Sequence, residues 1–305
     1  MKAGEPAGFV VAPRGPLDVG SSLEAFRRNG DDLIDRWDGT HLVRTVPVGG
    51  RAVAYGATVS GTRDAPLLRV VVEDERFQEE VGRAVRGSFV AAPPEFQDLL
   101  RRDPVLARLD VLHPGVRPVL QHDLLAALVR CISAQQVNLR WAATTRRRLA
   151  EAFGDRHDVA GFHVYSLSAE RLATTDPSLI RALQFTSRKA EYIVAAAREI
   201  ADGGLSLEAI AGLSDDEVIA RLTGIRGLGL WTAEWVLARS LGRPRIVAGD
   251  LGMRKAVGLA YLGTPLPSEA EVRRATAHWE GSAGVAQQLL LNALVSTPDA
   301  LRGPA

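Results

Sequence analysis

Residues 222–255 read LTGIRGLGLWTAEWVLARSLGRPRIVAGDLGMRK, and their pattern decides the fold. Gly227 and Gly229 flank one apolar residue between two segments of helical period. Leu222 and Ile225 precede the turn; Ala233, Val236 and Leu237 follow it at the spacing of a buried helical stripe. The stretch is therefore a helix, a tight turn and a second helix that opens at Leu230. Glycines at such a corner permit positive φ and let another molecule approach the backbone closely. N–H groups at the start of the second helix make a natural anion site. An ordinary corner with a glycine C-cap has the same appearance. About twenty residues past Gly229, Asp250 follows an apolar run and opens another helix, where a carboxylate serves as N-cap or as a charged group for chemistry. A dinucleotide-binding turn is excluded, because its third glycine is missing and the preceding segment is helical.

The rest of the composition narrows the setting. At 305 residues, 46% hydrophobic and 24% charged, the chain is an ordinary globular protein, long enough for two domains. The opening run MKAGEPAGFVVAPRG is broken by proline and arginine, so neither a leader nor a membrane span is expected. A lone Cys131 rules out internal disulfides and a four-cysteine iron–sulfur cluster; a small buried core residue is the expectation for it. An intracellular, cytoplasmic setting follows. His122 and His278 read as structural, and no metal-ligand cluster is visible. The net charge of +1 hides an asymmetry. Residues 1–100 carry 12 Arg+Lys against 15 Asp+Glu, whereas residues 221–260 carry seven basic side chains (Arg221, Arg226, Arg239, Arg243, Arg245, Arg254, Lys255) against Glu234 and Asp250. Such a basic region suits phosphate contact, or is a solvated face.

Residues 41–48, 51–60 and 66–74 are β-branched runs joined by turns, with Gly49-Gly50 as a tight hairpin. Helices are predicted over 18–28, capped by Asp18, and over 75–86. Sequential strands of this kind favour an antiparallel sheet with helices on one face. AAPP at 91–94 marks a break, which divides the chain into an α+β domain over 1–92 and an all-helical domain over 93–305. Helices are predicted there over 95–102, 123–134, 138–153, 168–174, 187–202, 207–213, 215–222, 230–240, 252–262, 268–278 and 284–296. The first domain shows no catalytic constellation.

Leu222-x-x-Ile225-x-Gly227-Leu228-Gly229-x-x-Thr232-Ala233, followed by Asp250, resembles the helix-hairpin-helix (HhH-GPD) superfamily of base-excision DNA glycosylases. ISAQQVNLRWAA at 132–143, TSRKAEYIVAAAREI at 186–200 and Pro114-Gly115-Val116-Arg117 resemble its alkylated-base branch, the 3-methyladenine DNA glycosylase II type. The resemblance spans roughly 95–280, and the sheet resembles the accessory domain of that branch more loosely. It implies that Gly227, Gly229 and Thr232 hold a DNA phosphate, with a Na+ or K+ ion on the carbonyls of Thr223, Ile225 and Leu228. It also implies Asp250 as the catalytic carboxylate, Trp231 and Trp235 in the base pocket, and Gln136 as the wedge that fills the gap left by a flipped base. Trp231 stands where bifunctional members carry a lysine nucleophile. No other cofactor is implied, and the expected partner of a monomer is damaged duplex DNA. Each role has a plainer counterpart: Asp250 as a cap, the tryptophans as core, Gln136 as an exposed helix-end residue.

The chemistry implied is hydrolysis of the N-glycosidic bond of 3-methyladenine or 7-methylguanine. A base inside a duplex must be rotated out before it can be cut, and indole faces favour a cationic base. Asp250 would stabilise positive charge on the sugar and orient water. Other readings are a glycosylase for oxidised or deaminated bases, and a DNA-damage-binding protein without turnover. Two departures concern the pocket. After Trp279 the branch shows a Pro-aromatic-Arg-Ser run, where this chain has Glu280-Gly281-Ser282-Ala283-Gly284, and Leu291 stands where a pocket tryptophan is expected. The C-terminal wall should therefore be less aromatic.

Overall fold

The computed structural model describes residues 8–302. Residues 1–7, which begin the run read as lacking a leader, lie outside the described residues. Five antiparallel strands make the first sheet: β1 (Phe9–Val11), β2 (Arg36–Trp37), β3 (His41–Val48), β4 (Arg51–Gly61) and β5 (Pro66–Val72), in the order β1-β5-β4-β3-β2. The register runs from His41 opposite Thr58 to Val48 opposite Arg51, with Gly49 and Gly50 both at positive φ in the turn. Because side chains alternate across a strand, Leu42, Val46, Tyr55 and Val70 face α1 (Val19–Arg28) and α2 (Gln78–Arg86), where they meet Leu23, Val81 and Val85. Asp18 caps α1, accepting the Ser21 N–H at 2.9 Å.

The remainder is not wholly helical, contrary to the all-helical expectation. After α3 (Phe96–Arg102), α4 (Pro104–Leu112), α5 (Leu124–Ala134) and α6 (Leu139–Phe153) comes a hairpin, β6 (Gly154–Val159) and β7 (Phe162–Leu167). Its turn, Ala160-Gly161, has φ +52° and +80°, the two positive values that a two-residue hairpin requires. Val159 and Val164 pack on Val43 and Ala54, covering the other face of the first sheet. The hairpin forms because that face needs an apolar cover; burial of each valine stabilises by about 1.5–3 kcal/mol.

Twelve of the helices lie within a turn of their predicted spans. In chain order the later ones are α7 (Ala169–Thr174), α8 (Pro177–Ala182), α9 (Ser187–Ala201), α10 (Leu207–Ala211), α11 (Asp215–Thr223), α12 (Leu230–Arg239), α13 (Leu251–Val257), α14 (Glu269–Thr276) and α15 (Ala283–Ser296). The helix expected over 252–262 is α13 followed by a π turn, Gly258–Leu262. α4 and α8 were not foreseen. Each begins with proline after an aspartate cap, so a residue that punctuates chains serves here as the first helical position. Two apolar centres result. One joins α5 to α12; the other joins α3 and α4 to α13–α15, so the chain's late helices return to its middle. The open space between these centres holds the site.

Candidate active site

The turn between α11 and α12 is built from both sides. Ile225 and Leu228 are buried beneath it. Gly227 has φ +93°, and a Cβ there would stand 2.1 Å from Tyr192 Cγ, so the ring on α9 excludes every other residue. Gly229 differs: it is extended at φ −102°, with nothing within 4 Å of a Cβ. It caps α12 without a side-chain bond, so the N–H groups of the first turn remain available to an anion. The Thr232 side chain is buried, at 1% exposure. A contact between Thr232 and a phosphate would therefore run through its backbone N–H, which lies in the first turn of α12. The Ile225 carbonyl accepts the Leu228 N–H at 3.1 Å, and Thr223 ends α11, where carbonyls lack intrahelical donors. These neutral oxygens at the negative end of a helix suit a monovalent cation. Among the described residues no group of three His, Cys, Asp or Glu side chains could hold a metal ion.

Five of the seven basic side chains of this region are engaged within the protein, three of them by carboxylates. Arg226 pairs with Glu191 at 3.0 Å, Arg243 with Asp215 at 2.8 Å and Arg245 with Glu234 at 3.2 Å. Arg254 donates to the Pro267 carbonyl at 2.7 Å, and Arg221 to that of Gly204. Arg239 and Lys255 are the two of the seven without such a partner among the described residues, and both line one large cleft of about 1160 Å³.

Helix α12 gives that cleft Trp231, Trp235 and Arg239, at i, i+4 and i+8 on one face. Asp250 lines it at the start of α13, half-buried. Its Oδ1 accepts the Met253 N–H at 2.9 Å, so it is a cap and a cleft carboxylate together, with Oδ2 outside the cap. Burial pulls the Arg239 guanidinium down to about 10, against the opposing pull of Asp250, and it stays charged at neutral pH. Cys131 is a buried core residue whose thiol is pushed up by burial.

Gln136 stands at the cleft mouth, exposed, with a left-handed backbone at φ +55°. A non-glycine residue held there costs of order 1 kcal/mol or more. The neighbours hold it: Lys189 Nζ donates to the Ser133 carbonyl at 2.8 Å, Gln135 Nε2 to the Gly227 carbonyl at 3.0 Å, and Asn138 caps α6 through the Trp141 N–H at 2.8 Å. The tip and the glycine turn are thus hydrogen-bonded to each other.

Sequence reasoning missed two walls. Ala25, Phe26 and Arg28 of α1 line the cleft, so the sheet domain is part of the site. On α15, Leu291 is joined by Gln288 and Asn292, polar residues in an apolar helix; that contrast was the available signal. The less aromatic C-terminal wall is present as expected.

A glycine-turned helix pair, beside a cleft with one capping aspartate, defines the helix-hairpin-helix repair fold. Residues 129–280 match the family model of the HhH-GPD superfamily base excision DNA repair proteins, and the chain belongs to that superfamily. YfjP of Bacillus subtilis, assigned as a DNA-3-methyladenine glycosylase, is 34% identical over 55% of this chain and 58% of its own length. A DNA-3-methyladenine glycosylase of the same organism is 29% identical over 61% of this chain and 62% of its own length. The chain thus spans about three fifths of these relatives. The 3-methyladenine DNA-glycosylase from Archaeoglobus fulgidus has the same fold, with a TM-score of 0.82 over 95% of this chain and 99% of that one, at 23% identity.

Proposed function

We propose that this protein is a monofunctional DNA glycosylase of base excision repair, which hydrolyses the N-glycosidic bond of alkylated purines turned out of duplex DNA. The observation that carries the reading is the convergence of Trp231, Trp235, Asp250 and Gln136 on one cleft, with the glycine turn hydrogen-bonded to its rim. The α12 N-terminus and the turn hold a backbone phosphate, a sequence-independent contact. Gln136 enters the gap in the stack. The indoles receive a base whose methylation leaves it cationic, as in 3-methyladenine and 7-methylguanine. As the C–N bond opens, positive charge builds on the sugar, and the Asp250 carboxylate stabilises it and orients the attacking water. A cationic base departs without protonation, so one carboxylate suffices. With Trp231 where lysine serves lyases, the strand is left uncut. The Thr223, Ile225 and Leu228 carbonyls would hold a Na+ or K+ ion, whose charge would favour the phosphate; replacement of these cations by choline should then weaken duplex binding. The protein acts as a cytoplasmic monomer on the nucleoid.

Base release from methylated duplex DNA tests this. Wild type should release 3-methyladenine and 7-methylguanine, and Asp250→Asn should lose about 100-fold or more of the rate while still binding DNA. Binding by wild type without release would favour a damage-binding protein. Full activity in Asp250→Asn would remove the carboxylate's role, and a borohydride-trapped adduct would reinstate a lyase.

A further inference from the structure

Helix α1 brings the sheet domain to the cleft, and one of its side chains there carries a charge without a partner. Three described arginines of that domain are not fully exposed. Arg36 pairs with Asp31 at 2.7 Å and Arg44 with Asp35 at 2.5 Å. Arg28, half-buried in the last turn of α1, lines the cleft and makes no hydrogen bond or ion pair among the described residues. Its neighbour Arg27 takes the nearby carboxylate, Glu24, at 2.8 Å. Burial pulls the Arg28 guanidinium below the ordinary arginine range, with Glu24 as the weaker opposing influence. A guanidinium keeps its charge at neutral pH all the same, and half-burying a charge without a counter-ion is unfavourable. An anion in the cleft would offset that cost.

The position of Arg28 selects the anion. Gly30, two residues on, has φ +101°, and a Cβ there would stand 3.5 Å from the Ala143 Cβ of α6. The end of α1 thus abuts the helix that follows the Gln136 tip, while the tip itself is bonded to the glycine turn through Gln135. A nucleotide turned out of a duplex is flanked by two backbone phosphates, and the α12 turn serves one of them. Arg239 and Lys255, which also line the cleft, stand with Asp250 at the end of α12 and on α13, so their wall is that of the reacting sugar. Residues 1–100 carry 12 Arg+Lys against 15 Asp+Glu, so the sheet domain does not draw DNA through its net charge. Its hold on the duplex is local.

We propose that Arg28 is a DNA-phosphate ligand supplied by the sheet domain, and that it holds the backbone beside the turned-out nucleotide on the side away from the glycine turn. The inference rests on the glycosylase reading above. The fork of N–H groups on a guanidinium matches two phosphate oxygens. The contact releases a condensed counterion from the duplex and is independent of base sequence. With the turn and Arg28 on either side, the strand is fixed while Gln136 occupies the gap. The buried network of Asp35 with Arg44 and Arg130 ties α1's domain to the helices, so the two grips keep their separation. The phosphate is held alike before and during cleavage, so Arg28 contributes to binding and not to the chemical step.

The test is a fluorescence-anisotropy titration of a duplex carrying a stable abasic-site analogue, repeated over a range of KCl concentrations. Arg28→Met, which keeps the aliphatic stem packed, should weaken binding on the order of tenfold at low salt. It should also make the slope of log K against log[KCl] shallower by about one. Arg27→Gln removes the same charge from an exposed position one residue away and should change neither. Arg28→Lys keeps a point charge and should restore the slope with part of the affinity. In single-turnover release of 7-methylguanine, Arg28→Met should raise the enzyme concentration that gives half the maximal rate and leave the maximal rate within about twofold. Should Arg28→Met fail to fold, Arg28→Gln carries the same expectations. A slope unchanged in Arg28→Met, or changed as much in Arg27→Gln, overturns the inference and leaves the glycosylase reading intact. So does a fall in maximal rate at unchanged half-saturation. Wild type that binds no duplex strikes at the glycosylase reading itself.

Discussion

Gly227 and Gly229 look equivalent in the sequence, and the structure separates them. At Gly227 a methyl group would collide with the Tyr192 ring and require a left-handed backbone; at Gly229 it would meet open space and an extended backbone. Gly227→Ala should therefore destabilise the fold by about 2–4 kcal/mol, within the range of overpacking and backbone strain combined. Gly229→Ala should change stability by less than about 0.5 kcal/mol and yet weaken duplex binding, because the methyl group obstructs only a ligand. Urea melts and a DNA-binding titration on the two variants decide this; equal loss of stability in both would show that the turn is not built as described. Asp250 is a similar case. Its position at a helix start was legible, and so was its capacity to cap, but one-dimensional spacing gives no information about what else an N-cap faces. Arg239 was counted as one positive charge among seven; what sets it apart, together with Lys255, is the lack of the side-chain partner that the other five have.

Among the elements, helix starts were the most legible, because an oxygen-bearing side chain announces them. Asp18, Asn138, Ser214 and Ser268 each accept an N–H of the helix they precede. The β6–β7 hairpin was not legible: Asp155, Arg156, His157 and Asp158 give no apolar alternation, and its cause lies on another domain. The segment between α5 and α6 was read for a wedge, but its backbone strain could not be. That strain yields a prediction with opposite signs. Gln136→Gly relieves the left-handed conformation and should raise stability by about 1 kcal/mol. The same change removes the side chain that fills the gap in the stack, so base release should fall at least about tenfold. A thermal melt paired with a base-release assay gives both numbers. A variant that loses stability would mean that the tip carries no strain, and one that retains full release would mean that the Gln136 side chain is not the wedge.

At the scale of the molecule, the cleft keeps its shape because the sheet domain is bound to the helices through a buried charge network. Asp35 meets Arg44 at 2.5 Å and Arg130 at 2.5 Å; Asp32 meets Arg130 at 3.0 Å and Arg146 at 2.8 Å. The Phe26 ring lies 5.5 Å from both Arg44 and Arg130. These residues come from strands, loops and helices over a hundred positions apart, which is why no local pattern revealed them, and why the sheet domain was read as bystander to the site. Arg130, Arg146 and Phe26 also line the cleft, so the network is its foundation. Burial alone would push the Asp35 carboxyl up, but Arg44 and Arg130 hold it well below the usual carboxylate range. Asp35→Asn leaves two buried guanidinium groups short of charge and should cost about 3–5 kcal/mol at pH 7. The sign of the pH dependence follows from the depressed value. Asp35 binds its proton less readily folded than unfolded, so its contribution is complete above the unfolded carboxylate pKa of about 3.9. It is lost as pH falls below that and through the folded value. Urea melts at pH 7 and pH 3 should therefore show the gap between wild type and Asp35→Asn narrowing at the lower pH; a gap that stays constant would mean that the ion pairs with Arg44 and Arg130 do not supply it.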